Sequence, residues 1–216
     1  MAIPSDIDFL LVRTGLSESF KEGKLNGDQG NDNPLAPEGV LHAKAAGDNL
    51  ANVLKKMQPK TVQIWTCNGV KRIEQTTQYV LEKLDATNAG YDKNIHSDGR
   101  LGGKNHGKFN LSTAKEREQD PEWQKTKEML AEEKFKTPLG GGESKEDIFN
   151  KVSVLFKEIS SQSIKDTAVV VVTSNNVLEA LGRPLSGQAK LKVDYPEILH
   201  LKLSHDKLSF VQVFKV

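Results

Sequence analysis

Five consecutive apolar residues at 168–172, Ala-Val-Val-Val-Val between Thr167 and Thr173, constrain this chain more than any other feature. A β-branched run of that length is a strand. Its lack of polar alternation means that both faces are buried, as happens in parallel sheets with helices above and below. A second run, Phe9-Leu10-Leu11-Val12, predicts another buried strand over 8–12 that ends at Arg13-Thr14-Gly15. Neither run approaches the length that crosses a bilayer, and the N-terminus lacks a secretory apolar region.

Helical periodicity fills the intervals. Pro37 suits a first helical turn, Ala43, Ala46, Leu50, Val53, Leu54 and Met57 trace one face, and Pro59 stops the helix. Residues 61–66 read as a strand, 70–84 as an amphipathic helix and 85–108 as loop. The charged stretch 112–136 predicts one or two helices broken near Pro121, a lid-like insert with Trp123, Met129, Leu130 and Phe135 on its buried side. A Gly/Pro turn at 137–142 precedes Ser144 and Asp147, which form a capping-box pattern for a helix to about residue 160. After the valine strand come a short helix at 175–181 and a hairpin of strands at 198–203 and 209–216. This order predicts an α/β fold, a three-layer α/β/α sandwich on a mainly parallel sheet, with 1–216 as one domain.

Composition removes several classes of function. Thirty Lys+Arg against 29 Asp+Glu leave a net charge of +1, without the basic excess of a nucleic-acid binder. One cysteine, Cys67, excludes an internal disulfide and multi-thiolate zinc sites. No histidines share metal-ligand spacing with a carboxylate or thiol, so neither metal nor cofactor is expected, and no membrane partner. The expected location is the cytoplasm.

Ligands of open α/β sheets bind beyond the carboxyl ends of the strands. Those ends carry Arg13, then Cys67 with Arg72 one helical turn on, then Ser174, Asn175 and Asn176 at a helix N-terminus. Two guanidiniums and a helix N-terminus suit an oxyanion. The alternative is that both arginines pair with nearby carboxylates.

At these positions the chain resembles the histidine phosphatase (phosphoglycerate mutase-like) superfamily. Leu11-Val12-Arg13-Thr14-Gly15 is similar to its Leu-Val-Arg-His-Gly, and Pro34-Leu35-Ala36-Pro37-Glu38-Gly39 to its Leu-Thr-Pro-Glu-Gly. Cys67 to Arg72 with Thr76 resembles Ser-Ser-Pro-Leu-x-Arg-x-x-x-Thr, and residues 101–111 keep the spacing of Leu-x-Glu-x-x-x-Gly-x-Trp. Gly141-Gly142-Glu143-Ser144 matches Gly-Gly-Glu-Ser, and 170–181 resembles Val-Val-Ser-His-Gly-Gly-Val-x-x-Ala-Leu. The resemblance implies phosphoryl transfer through a phosphohistidine, an acid for the leaving oxygen, and arginines on the other phosphoryl oxygens.

The departures fall on the reacting groups. The nucleophilic histidine corresponds to Thr14, the second histidine to Ser174 and the acid to Gly103, while Arg13 and Arg72 persist. A threonine hydroxyl needs a neighbouring base to attack phosphorus, and none is indicated. Monoester hydrolysis demands accelerations of up to about 10²¹, and losing a nucleophile alone can cost on the order of 10⁶. The expectation is a pseudophosphatase that binds phosphate, a phosphorylated small molecule or a phosphorylated protein. Two alternatives remain: altered chemistry through His106 or Cys67, and a scaffold whose pocket is vestigial. His42, His200 and His205 read as structural or solvent-facing. Oligomeric state is not legible in the sequence.

Overall fold

The computed structural model describes residues 6–27, 33–87, 90–133, 135, 136, 138, 140–162, 166–187, 192–205 and 207–215. Residues 22–33, whose Gly, Asn and Asp content reads as a polar loop, the 137–142 turn and the hairpin turn at Asp206 therefore lie partly outside the described residues. The described elements run β1 (Ile7–Arg13), α1 (Glu18–Lys21), α2 (Pro37–Met57), β2 (Thr61–Thr66), α3 (Lys71–Ala86) and β3 (Asp92–Ser97). Then follow α4 (Ala114–Glu118), α5 (Pro121–Glu133), α6 (Lys145–Gln162), β4 (Thr167–Thr173), α7 (Asn175–Ser186), β5 (Ile198–Ser204) and β6 (Lys207–Phe214).

One mixed sheet has the order β3-β2-β4-β1-β5-β6. The valine strand β4 lies between β2 and β1, parallel to both, and all seven of its residues are buried. β5 and β6 complete the sheet antiparallel. Helices α2 and α3 pack together on one side and α6 and α7 on the other. Phe9 of β1 stacks on Phe156 of α6 at 4.2 Å between ring centres, one of the side-chain ties between layers. The expected three-layer sandwich is the fold observed.

Local signals explain most boundaries. Pro37 opens α2, Ala43, Ala46, Leu50, Val53 and Leu54 are its buried stripe, and Gln58 closes it in the left-handed region. Ser144 and Asp147 form the capping box at α6, with Ser144 N–H donating to the Asp147 carboxylate at 2.8 Å and Asp147 N–H donating to Ser144 Oγ at 3.1 Å. The N-cap of α2 is Ala36, which offers no side-chain acceptor.

Four expectations are corrected. Residues 85–108 are not all loop, because Asp92–Ser97 is an edge strand on β2 and residues 99–101 and 107–109 form 3₁₀ turns. Every β3 residue is exposed, so burial imposes no apolar alternation, and charged edges resist stray pairing. The helix after β4 runs on to Ser186, past the expected residue 181. The last strand starts at Lys207 and ends at Phe214. The insert is more solvated than expected: α5 buries only Thr126, and Met129 is 54% exposed. Trp123 instead meets Phe109 edge-on at 5.2 Å and lies under Arg117.

The chain after β1 is pressed against the start of α2. Leu16 C=O accepts from Ala36 N–H at 2.9 Å, and a Cβ on Gly39 would run into that same Leu16 carbonyl. Gly→Ala inside a helix normally stabilises by about 1 kcal/mol, but forced overpacking costs about 1–3 kcal/mol. Gly39→Ala is therefore expected to lower the urea-unfolding free energy, the clash outweighing the propensity gain.

Candidate functional site

The carboxyl ends of β1 and β4 meet because Arg13 pairs with Thr173 in register. Thr14 N–H extends the ladder by one bond to Thr173 C=O at 2.9 Å. Ser174, the N-cap of α7, thus lies beside Thr14 at the sheet edge. Gly15 N–H donates to Thr76 Oγ1 at 3.2 Å, and that hydroxyl donates to Arg72 C=O at 2.7 Å, which joins the loop after β1 to the first turns of α3.

A third wall comes from residues 101–107. Thr173 Oγ1 donates to Leu101 C=O at 2.6 Å. Glu143 accepts from Asn105 N–H at 2.8 Å and pairs with Lys151 at 2.6 Å, while Lys151 reaches Gly103 C=O at 3.2 Å. Glu143 is therefore a loop clamp, as its position before the helix suggests. Gly103 has φ +119°, and a Cβ there would lie 2.8 Å from Ser174 Oγ and 3.7 Å from Arg72 Nη2. A side chain at residue 103 would thus meet Ser174, and these are the two positions that resemble the family's acid and second histidine.

Between these walls lies a cavity of about 190 Å³. Arg13, Thr14, Arg72, His106, Ser174, Asn175 and Asn176 line it, so all the expected anion-binding residues converge there together with His106. Among the described lining residues, Lys24 adds a third permanent cation and no Asp or Glu is present. Arg72 is buried and donates from Nη2 to Gly27 C=O at 2.8 Å and to Gly102 C=O at 3.5 Å, which fixes the fork toward the 101–107 wall. Arg13 donates to Val193 C=O at 3.0 Å and stacks over Tyr195 with its guanidinium carbon 4.1 Å from the ring centre. Burial, the largest influence on Tyr195, pushes its phenol up, so the ring is a neutral partner for Arg13. Ser174 Oγ and His106 Nδ1 are buried without a hydrogen-bond partner. Both residues line the cavity, so these two polar atoms are placed to accept or donate a hydrogen bond there.

Cys67 is buried, directs Sγ to the Asn68 carbonyl at 3.5 Å and does not line the cavity. His200 bonds Asp8 at 2.7 Å across β5 and β1, and His42 stacks on Tyr195 with 4.0 Å between ring centres. No cluster of three or more potential metal ligands occurs among the described residues. None of the described helices is long and apolar enough to cross a membrane. Reading the sequence missed Lys24, Phe20, Leu25, Asn26 and Tyr195 as lining residues, since Phe20 sits on the single-turn helix α1 and the others on irregular segments, none long enough to show a periodic signal.

Residues 9–215 match the family model of the histidine phosphatase superfamily, branch 1. The chain belongs to that superfamily. Its fold is shared by a mycobacterial hydrolase at 19% identity and a TM-score of 0.71, covering 96% of each chain. A putative α-ribazole-5′-phosphate phosphatase from Escherichia coli aligns at 15% identity and TM-score 0.71, over 97% of this chain and 96% of that one. A mycobacterial glucosyl-3-phosphoglycerate phosphatase in complex with inorganic phosphate aligns at 19% identity and TM-score 0.66, over 97% and 96%. A search of curated protein sequences returned no match.

His106 gives this superfamily member a measurable pH signature. The ring is 5% exposed. Burial, then the charges of Lys104, Arg117 and Arg72, push its pKa from 6.5 down to about 4, against a backbone bond to Asn26 that raises it. Between those values the unfolded chain binds a proton that the folded protein refuses. This contribution to stability is whole above pH 6.5 and is lost as pH falls toward 4. The fall in urea-unfolding free energy between pH 7 and 4.5 is expected to be smaller in His106→Asn.

Proposed function

We propose that this protein is a catalytically inactive member of the histidine phosphatase superfamily whose arginine-lined cavity holds a phosphate group. In this reading residues 1–216 are one domain, the setting is the cytoplasm, and the protein acts by binding a phosphorylated small molecule or protein. The observation that carries it is the lining itself: Arg13 and Arg72 converge with Ser174 and the N-terminus of α7, and no Asp or Glu is among the described lining residues. Arg offers a planar donor fork that fits phosphate oxygens. The phosphate complex of a fold relative supports the same ligand class.

Loss of turnover follows from what stands around that cradle. Thr14 is a weak nucleophile, and no carboxylate lines the described cavity to take its proton or protonate a leaving oxygen. Gly103 cannot be exchanged for an acid without strain, because its φ of +119° disfavours any side chain and Ser174 occupies the adjoining space. The cavity speaks against a purely vestigial pocket, since Leu16, Asn175 and Asn176 line it rather than fill it. Cys67 drops out as a rescuing nucleophile because it lies outside the lining.

One observation favours a second reading, an altered phosphatase. With a pKa near 4, His106 is an unprotonated imidazole at neutral pH, and it borders the cavity. Phosphate release from p-nitrophenyl phosphate and a set of sugar phosphates separates the two readings. The inactive reading expects release at the buffer blank. Turnover that disappears in His106→Asn supports the altered enzyme and overturns the first reading.

Binding has its own test. A ligand at one hundred times its dissociation constant stabilises the folded state by about 2.7 kcal/mol. Inorganic phosphate and vanadate are expected to raise the unfolding temperature of the unmodified protein. Arg13→Ala should lose most of that increase while remaining folded by circular dichroism.

A further inference from the structure

Resting on the phosphate-site reading, we propose that the ligand is a small phosphate monoester whose organic part is aromatic or similarly flat and apolar, not a hydroxylated sugar or glycerol. The lining has two chemically different parts. Arg13, Arg72 and Ser174 form the polar part at the strand ends. The other part is the segment from Leu16 to Asn26, which presents Leu16, Phe20 and Leu25 beside Ser17, Lys24 and Asn26.

The polar groups on that segment are already engaged within the protein. Asn26 Nδ2 donates to Ser17 Oγ at 2.7 Å, and Asn26 Oδ1 accepts from Asn33. Lys24 pairs with Glu22 at 2.6 Å. A ligand hydroxyl arriving here would surrender its water and compete for partners in use, which is unfavourable. Phe20 is the most open of the lining hydrocarbon surfaces: it is 57% exposed, although its backbone is fixed by α1, whose N-cap Ser17 Oγ accepts from Phe20 N–H at 3.4 Å. Leu25 is held from both sides, its N–H donating to Ser112 C=O at 3.0 Å and its C=O accepting from Leu111 N–H at 2.8 Å. Ordered apolar groups cost little further entropy when a ligand covers them.

Size limits the organic part. The cavity of about 190 Å³ is smaller than the roughly 300 Å³ at which pockets for drug-sized ligands begin. A phosphate with one ring suits it, the ring lying on Phe20 in an offset or edge contact.

Titration calorimetry at pH 8, where phosphate esters are dianions, tests this with phenyl phosphate, glycerol 3-phosphate and inorganic phosphate. Phenyl phosphate is expected to bind about tenfold more tightly than glycerol 3-phosphate. Phe20→Ala should bring that ratio close to one, and Phe20→Tyr should preserve it. Equal affinities for the two esters, or a ratio untouched by Phe20→Ala, overturn the inference while binding of inorganic phosphate leaves the underlying site intact. Absence of binding by all three overturns the phosphate site itself and this specificity with it.

Discussion

The parallel pairing of β1 with β4 is the constraint on which the rest of the molecule depends. It is buried on both faces, so its register has no freedom to slip. That register sets Arg13 opposite Thr173 and brings two loops, distant in sequence, to one point on the sheet edge. Every other wall is hung from this pair: α3 through Thr76, and the 101–107 segment through Thr173 Oγ1 and the Glu143–Lys151 clamp. A hydrophobic requirement, keeping four valines from water, thus fixes the position of a polar cavity.

The electrostatics of that cavity come from how its cations are restrained. Arg72 is fixed by a peptide carbonyl and Arg13 by a carbonyl and an aromatic face. Burial first, and then the charges of Lys104, Arg117 and Arg72, push His106 down to about 4. Lys104, buried behind the same segment, is likewise pushed down, to about 8, by burial and by Lys145, against the pull of Glu143 and Asp147. In both groups the loss of water outweighs any single neighbouring charge.

Legibility in the sequence followed burial. Continuous apolar runs and helical stripes located β1, β2, β4, α2, α3 and α6, because burial imposes a period that residues record. Arg13, Arg72 and Ser174 were legible for a related reason: a strand end in a parallel sheet is a place, and Arg13 ends β1, Ser174 follows β4 and Arg72 opens the helix after β2. β3 escaped because an exposed edge strand owes its conformation to backbone bonds with β2, which no side-chain pattern reports. Phe20 escaped because α1 is a single turn, too short to show a period, and Lys24 and Tyr195 because they reach the cavity on irregular chain, where spatial neighbours are set by packing far away in sequence. Met129 misled for the opposite reason, its apolar side chain lying in solvent on a weakly amphipathic helix.

The backbone at Gly103 limits what this wall can carry. Any side chain there enters a peptide conformation that disfavours it and meets Ser174 Oγ, already in place. Adding a proton donor at residue 103 would therefore require the chain around it to be re-bent and Ser174 to move aside, so the 101–107 segment and the first turn of α7 can be redesigned only together.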